Sequence, residues 1–394
     1  MKKTISILLI FVLSALFLMP IFAVNESKNG AEYDGFYSEA DLDLEMELGG
    51  AYLCEATTGK VLYAQNEFKA ASPASVTKVM TLLLVMEALD AGKFKLTDKV
   101  TVSARAASMG GSQVFLEEGE RITVEELIKA TVIASGNDAS VALAELTAGS
   151  EGAFVKLMNS RAAELGLKNS SFENVTGLDD TTTNHYSCAA DIALMSRELI
   201  KHELILEYSS IWQDTIRDGE FTLTNTNRLV RYYDGCNGLK TGSTDKAGYC
   251  VSATAKRGNM QLIAVVMGAE TKDQRNLAAR TLLDYGFANY ALYESGERFI
   301  ENAKVIGGIT DNVPLYSTGF SCVVDKASVS KIELIYDIPE CISAPISKGD
   351  AVGSVLYKIG GEQIGKSNIY AGEDVNKITL ADIYQRILKR IVCG

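Results

Sequence analysis

Three short stretches of this chain carry side chains whose chemistry depends on their spacing. Ser75-Val76-Thr77-Lys78 sets a hydroxyl three residues before an amine. On a helix those two positions share a face, so the Lys78 amine can reach the Ser75 hydroxyl. A serine hydroxyl is a weak nucleophile and needs a base beside it. A lysine can be that base once desolvation or a second cation lowers its pKa. Ser135-Gly136-Asn137 interrupts a helical region. Its residue types favour caps and turns, so it is either a helix-to-helix corner or a polar finger. As a finger, Ser135 relays a proton and Asn137 hydrogen-bonds a substrate amide. Lys240-Thr241-Gly242 is either an exposed turn or a strand. As a strand, Lys240 and Gly242 share one face, and Gly242 leaves room for a substrate backbone along the edge. Lys240 then supplies the cation that depresses Lys78.

No stretch is specific alone. Ser-x-x-Lys occurs at Ser75–Lys78, Ser243–Lys246 and Ser328–Lys331, and only the first precedes a long apolar segment. The lysine-threonine pair is not a phosphate loop, because Gly-x-x-x-x-Gly-Lys-[Ser/Thr] is absent.

The surrounding elements have to bring these stretches together. Val76–Leu89 is apolar on nearly all sides and predicts a helix inside a core. Helical periodicity continues over Ile122–Ala148, Phe154–Leu165 and Ala189–His202. Ala51–Ala56 and Val61–Ala64 flank Thr57-Thr58-Gly59-Lys60, a hairpin signature. Gly248–Lys256 and Met260–Met267 form a second pair around Arg257-Gly258-Asn259, and Asp273–Tyr290 reads as a helix. Strands at both ends with helices between predict an α/β or α+β domain over residues 48–293. Short β-rich runs over 294–376, with Gly360-Gly361 as a tight turn, predict a small all-β domain. The tail, residues 377–394, is amphipathic and basic; it lies on an anionic membrane surface or docks on its own domain.

At the other end, Lys2 and Lys3 precede an apolar run to Phe22, which predicts a secretory signal peptide over 1–23 and an extracytoplasmic protein. An uncleaved membrane anchor is the alternative. Residues 24–47 are acidic and patternless, a loose tether. The 394 residues carry 38 basic and 50 acidic side chains, a formal charge of −12, which argues against nucleic acid as a partner. Seven cysteines without Cys-x-x-Cys, and two histidines, argue against a zinc site. The odd count leaves at least one thiol unpaired, and buried, reduced cysteines are the expectation for most. His185 reads as structural.

In this order the three stretches match Ser-x-x-Lys, Ser-x-Asn and Lys-Thr-Gly, the marks of penicillin-binding proteins and class A β-lactamases. The chain resembles the low-molecular-mass penicillin-binding proteins that act as D-Ala-D-Ala carboxypeptidases, peptidase family S11. The resemblance spans roughly residues 45–375 and is densest in Pro73–Lys78, Ala134–Ala139, Phe172–Leu178 and Gly238–Tyr249. Met109-Gly110-Gly111-Ser112-Gln113 is similar to the sporulation-associated branch of firmicutes.

The resemblance implies a transpeptidase/β-lactamase-like α+β domain with a helical cluster and an antiparallel sheet. It implies a Ser75 nucleophile, Lys78 as base, and Ser135 and Asn137 serving the leaving group and the substrate amide. Lys240, Thr241 and Gly242 would hold the substrate, with Arg275 near its terminal carboxylate and the Ser75 and Ser243 amides as oxyanion hole. Asn225 stands where some relatives carry an arginine, with Arg228 as the nearby cation. No metal or cofactor is implied; the partners are peptidoglycan stem peptides, with β-lactams as inhibitors.

Two other readings remain. A class A β-lactamase would carry Glu-x-x-Leu-Asn between Ser135 and Lys240, which is absent, and Glu173 is a poor match. A non-catalytic wall-binding protein would not require Ser75, Lys78 and Lys240. Endopeptidase or transpeptidase chemistry at the same site is a third possibility.

Overall fold

A computed structural model describes Leu42, Leu44 and residues 46–393. The expected signal peptide and most of the tether lie outside the described residues.

Alternation along one strand organises the centre of the fold. In Met260–Ala269, Ile263, Val265 and Met267 point into one apolar cluster, and Leu262, Ala264 and Val266 into another. Side chains of a strand alternate between faces, so this run is apolar throughout because both its faces are covered. The strands that bear on the site are β1 (Gly50–Glu55), β2 (Val61–Gln65), β3 (Cys236–Thr244), β4 (Gly248–Arg257) and β5 (Met260–Ala269). They form one antiparallel sheet in the order β2-β1-β5-β4-β3. The strand with Lys240-Thr241-Gly242 is therefore an edge.

Helices cover one face. The chain enters α1 (Lys78–Asp90) through a 3₁₀ turn, Ala74–Thr77, that carries Ser75. Every residue from Lys78 to Met86 is buried, as a helix apolar on all sides requires. Each buried leucine, such as Leu82 or Leu83, contributes about 2 kcal/mol. Next comes α2 (Val124–Val132), started by a capping box between Thr123 and Glu126, then α3 (Asn137–Ala148) and α4 (Ala189–Leu199). Between α2 and α3 the backbone turns through Ser135 at φ 66°. Ser135-Gly136-Asn137 is thus a corner, and the corner is what aims its side chains. On the opposite face lies α5 (Lys272–Asn289), packed through Ala278, Ala279, Leu282 and Leu283.

The C-terminal part is β-rich, as expected. Six strands form a sheet in the order Ile332–Asp337, Ala351–Ile359, Glu362–Ala371, Asn312–Ser317, Arg298–Ile306, Cys341–Ser343. Tyr357, Val355, Leu315 and Ile369 fill its core. Gly360 and Gly361 both take positive φ, making the tight turn of a hairpin. The final helix, α6 (Leu380–Cys393), leaves Leu380, Tyr384 and Ile391 exposed, while Arg386 bonds the Ile309 carbonyl and pairs with Asp311 at 3.5 Å. Among the described residues no helix is long and apolar enough to cross a membrane. Cys54, Cys188, Cys236, Cys250, Cys322 and Cys341 carry free thiols, and the first, second and fourth of these are buried.

Candidate active site

The 3₁₀ turn presents Ser75 to a cleft of about 610 Å³. Ser112, Ser135, Thr241, Gly242, Ser243 and Arg275 are among the residues that line it. Behind Ser75 the Lys78 ammonium nitrogen lies 2.9 Å from the Ser75 hydroxyl, 2.6 Å from Asn137 Oδ1 and 3.0 Å from the Thr176 carbonyl. A charged lysine has three N–H donors and a neutral one has two plus a lone pair. In the neutral form, Asn137 and Thr176 take both N–H groups, and the lone pair is left for the Ser75 O–H. That is the geometry of a general base.

Lys78 is fully buried. Burial, and secondarily the charge of Lys240, hold its pKa well below the ordinary lysine value, against an opposing pull from Asp138. Lys240 is also buried, donates to the Thr241 carbonyl at 2.9 Å, and is pushed down to about 7 by burial and by Arg275. The Ser135 hydroxyl is buried and has no hydrogen-bond partner among the described residues. An orphaned buried hydroxyl beside a nucleophile is a group waiting for a ligand.

Gly242 explains the close packing of β3 on the nucleophile turn. A Cβ there would stand 2.8 Å from both the Ser75 and Val76 nitrogens and 2.9 Å from the Pro73 carbonyl. A bare backbone is needed for this edge to lie against the Ser75 amide. Arg275 is almost fully buried on α5, with burial lowering its pKa, and its guanidinium donates to Asn276 Oδ1.

All nine residues singled out in the sequence thus gather at one site: Ser75, Lys78, Ser135, Asn137, Lys240, Thr241, Gly242, Ser243 and Arg275. Asn225 has another task. Its amide nitrogen serves the Ser209 and Ile211 carbonyls and its oxygen accepts from Asn227, so it holds a loop. Arg228 lines the cleft and is exposed.

Several supporting groups were not found by sequence reasoning. The Phe172–Leu178 stretch is a turn in which Asn174 Oδ1 accepts from the Thr176 and Gly177 amides. Gly177, at φ 83°, approaches so closely that a Cβ would lie 1.8 Å from the Ala74 carbonyl. Asn-x-x-Gly is a recognisable turn signature, but nothing local says what the turn presses on. His185 braces the same turn from outside. Its Nδ1 accepts from the Glu173 amide, so Nε2 carries the proton and donates to Thr77 Oγ1 at 2.8 Å. Burial lowers the His185 pKa to about 4, which keeps the ring neutral. Asp138, buried beneath the cleft wall, accepts from the Val114 and Leu116 amides and so fixes the loop that carries Ser112.

Comparison with known proteins agrees with this geometry. A model of the D-alanyl-D-alanine carboxypeptidase family matches residues 38–271, and one of the penicillin-binding protein 5 C-terminal domain matches 287–377. The chain is 43% identical over 396 residues to D-alanyl-D-alanine carboxypeptidase DacF of Bacillus subtilis, covering 98% of each chain. It superposes on penicillin-binding protein 5 of Haemophilus influenzae with a TM-score of 0.74 at 32% identity, covering 84% of this chain and 98% of that one. Penicillin-binding protein D2 of Listeria monocytogenes, solved in an ampicillin-bound form, gives 0.57 at 32% identity, over 62% of this chain and all of that one. A catalytic-looking Ser–Lys pair, the Lys-Thr-Gly edge strand beside it, and matches that run through both halves of the chain lead to one statement: this chain belongs to the D-alanyl-D-alanine carboxypeptidase family of penicillin-binding proteins.

Proposed function

We propose that the chain is a serine D-alanyl-D-alanine carboxypeptidase that removes the terminal D-alanine from peptidoglycan stem pentapeptides through an acyl-enzyme on Ser75. The observation that carries this reading is the contact between the buried Lys78 amine and the Ser75 hydroxyl.

Neutral Lys78 takes the Ser75 proton as Oγ attacks the penultimate D-alanine carbonyl. The carbonyl oxygen becomes an oxyanion that the Ser75 and Ser243 amides receive. The proton passes through Ser135 to the leaving nitrogen, the C–N bond breaks, and D-alanine departs. Water then hydrolyses the ester, with Lys78 again as base. Lys240, Thr241 and Arg275 hold the terminal carboxylate, and Asn137 orients the acyl-side amide as well as the base. β-Lactams acylate Ser75 because their strained amide stands in for the scissile bond; the ampicillin-bound relative supports this. No carboxylate lines the cleft among the described residues, so the glutamate-driven deacylation of a class A β-lactamase has no counterpart. The enzyme works outside the cytoplasmic membrane, where its substrate is, after export by its N-terminal segment. The exposed apolar side of α6 rests on the membrane surface.

Release of D-alanine from a synthetic stem pentapeptide tests the reading. Wild type is expected to release it, and Ser75→Ala is expected neither to release it nor to retain fluorescent penicillin covalently. Release that persists in Ser75→Ala would remove the nucleophile assignment.

A further inference from the structure

The C-terminal sheet has an outer face as well as a core. Leu315 and Ile369 point into the core, so their neighbours Tyr316 and Tyr370 point the other way. Phe299 is the direct cross-strand partner of Tyr316, and Tyr316 of Tyr370, which puts three aromatic rings in one row across three adjacent strands. Ring centres are 5.8 Å apart in the first pair and 6.1 Å in the second, and the Tyr316 and Tyr370 planes lie within 26° of parallel. Phe299 is 52% exposed. A Cβ on Gly372 would stand 2.4 Å from the Tyr316 ring, and the Tyr370 hydroxyl donates to the Glu297 carboxylate, so both tyrosines are held in place. None of these residues lines the catalytic cleft.

Polar groups flank the rings. Asn302, opposite Pro314, and Asn368, two residues before Tyr370, share the outer face and are exposed. Neither side-chain amide bonds to another described residue. Phe299 also lines a cleft of about 590 Å³ with Arg298, Glu301 and Tyr336. The Arg298 guanidinium donates to the Tyr336 hydroxyl and lies 5.8 Å from its ring centre. Exposed aromatic surface of this kind marks a contact with something. An aliphatic partner would be met by aliphatic residues, and none interrupts the row. An anionic bilayer would be met by a basic cluster, and residues 297–301 carry two carboxylates against one guanidinium. A sugar ring matches the face. Its C–H side, slightly positive, stacks on the negative face of an aromatic ring, and its hydroxyl and acetamido groups pair with amides and carboxylates.

We infer that this aromatic row on the C-terminal domain is a carbohydrate-binding site for the N-acetylhexosamine glycan strand that carries the stem peptides. The choice of glycan rests on the carboxypeptidase reading; the stacking surface does not. Successive sugars lie along Phe299, Tyr316 and Tyr370, with Asn302, Asn368 and Glu297 meeting their polar edges. The domain thereby holds the polymer while the separate catalytic cleft works on peptides attached to it, which raises the local concentration of stem peptide without touching the chemistry.

Calorimetric titration with chitohexaose, a β-1,4-linked N-acetylglucosamine oligomer, tests this on wild type and on Phe299→Ala/Tyr316→Ala. Wild type should bind, the double variant should bind at least about tenfold more weakly, and Phe299→Trp should keep its affinity. Wild type and double variant should release D-alanine from a free pentapeptide with kcat/KM within about twofold of each other, while the variant works more slowly on intact sacculi. Thermal unfolding reports whether the variant is folded; should it melt early, Phe299→Ala alone, at a half-exposed position, carries the test. A wild type that cleaves pentapeptide but binds neither chitohexaose nor peptide-stripped glycan strands overturns the inference and leaves the carboxypeptidase reading standing. A folded variant that binds glycan like wild type also overturns it, as does one whose only loss is binding to phosphatidylglycerol vesicles, which would make the row a membrane contact. Glycan binding by a wild type that releases no D-alanine would uphold the site and bring down the carboxypeptidase reading instead.

Discussion

Acid should loosen the nucleophile turn through His185, well before carboxylates protonate. The neutral ring links two segments: Nδ1 accepts from the Glu173 amide and Nε2 donates to Thr77, two residues from Ser75. A protonated ring would turn an N–H against the Glu173 N–H. Burial places the folded pKa at about 4, against 6.5 for an unperturbed histidine. Above 6.5 the ring is neutral folded and unfolded, so it costs nothing. Below 6.5 the unfolded chain binds a proton that the folded one refuses, and stability falls until the folded ring also titrates near 4. By linkage the loss is about 2 kcal/mol at pH 5 and about 3.4 kcal/mol once complete. That is a large share of a typical folding free energy of about 5–15 kcal/mol. Urea unfolding at pH 7, 6 and 5, followed by circular dichroism, measures it. Aspartates and glutamates titrate mainly below this window, and His202 is common to wild type and His185→Gln, so it cancels. The wild-type urea midpoint should fall steeply from pH 7 to 5, with penicillin acylation falling alongside, while His185→Gln starts lower and stays flat. Parallel curves for the two proteins would refute the reasoning.

Gly242→Ala puts a methyl 2.8 Å from the Ser75 and Val76 nitrogens; penicillin acylation should slow at least about a hundredfold, because a shift of about 1 Å at the reacting atoms costs that much. Thermal unfolding should drop only a few degrees, so a collapse of stability without a change in the acylation rate of the folded fraction would contradict this. Arg275→Leu removes a buried guanidinium from the cleft wall; if it holds the terminal carboxylate as proposed, kcat/KM for pentapeptide release should fall about 10- to 100-fold, carried mostly by KM, and an unchanged KM would exclude Arg275 from substrate binding.

The parts of this molecule written as local pattern were legible from sequence. An apolar run with almost no polar side had to be an internal helix, and Val76–Leu89 falls on one that runs from Lys78 to Asp90, its first two residues closing the 3₁₀ turn that leads in. The continuous Met260–Met267 run became the strand covered on both faces. The order Ser-x-x-Lys, Ser-Gly-Asn, Lys-Thr-Gly found the groups that converge. What stayed hidden depends on backbone groups meeting across long sequence distances. The Thr176 carbonyl on Lys78, the Gly177 approach to Ala74, and the Asp138 carboxylate under the Val114 and Leu116 amides involve main chain that every residue has. His185 could be read as structural, but its partner Thr77 could not be named. The corner at Ser135 shows why such either-or readings mislead: the left-handed backbone that breaks the helix also turns the hydroxyl into the cleft.

The state of Lys78 is decided by competing effects of different reach. Three acceptors surround its nitrogen, and a nearby carboxylate, Asp138, also favours the charged form. Burial opposes them and is the largest influence, followed by Lys240. Asp138 is outweighed for a visible reason: its oxygens are held by the Val114, Leu116 and Ala139 amides, so its charge is spread over hydrogen bonds that do not include the lysine. The two acceptors other than Ser75 do not protect the charge either, since a neutral amine still needs places for two N–H groups. They fix the direction of the lone pair. In the proposed mechanism Lys240 then acts twice, as the cation that disfavours a second charge at Lys78 and as a holder of the terminal carboxylate, and its own pKa of about 7 leaves it responsive to substrate. In that mechanism an arriving carboxylate favours the charged form of Lys240, and burial, the largest influence on Lys78, is what holds the base neutral.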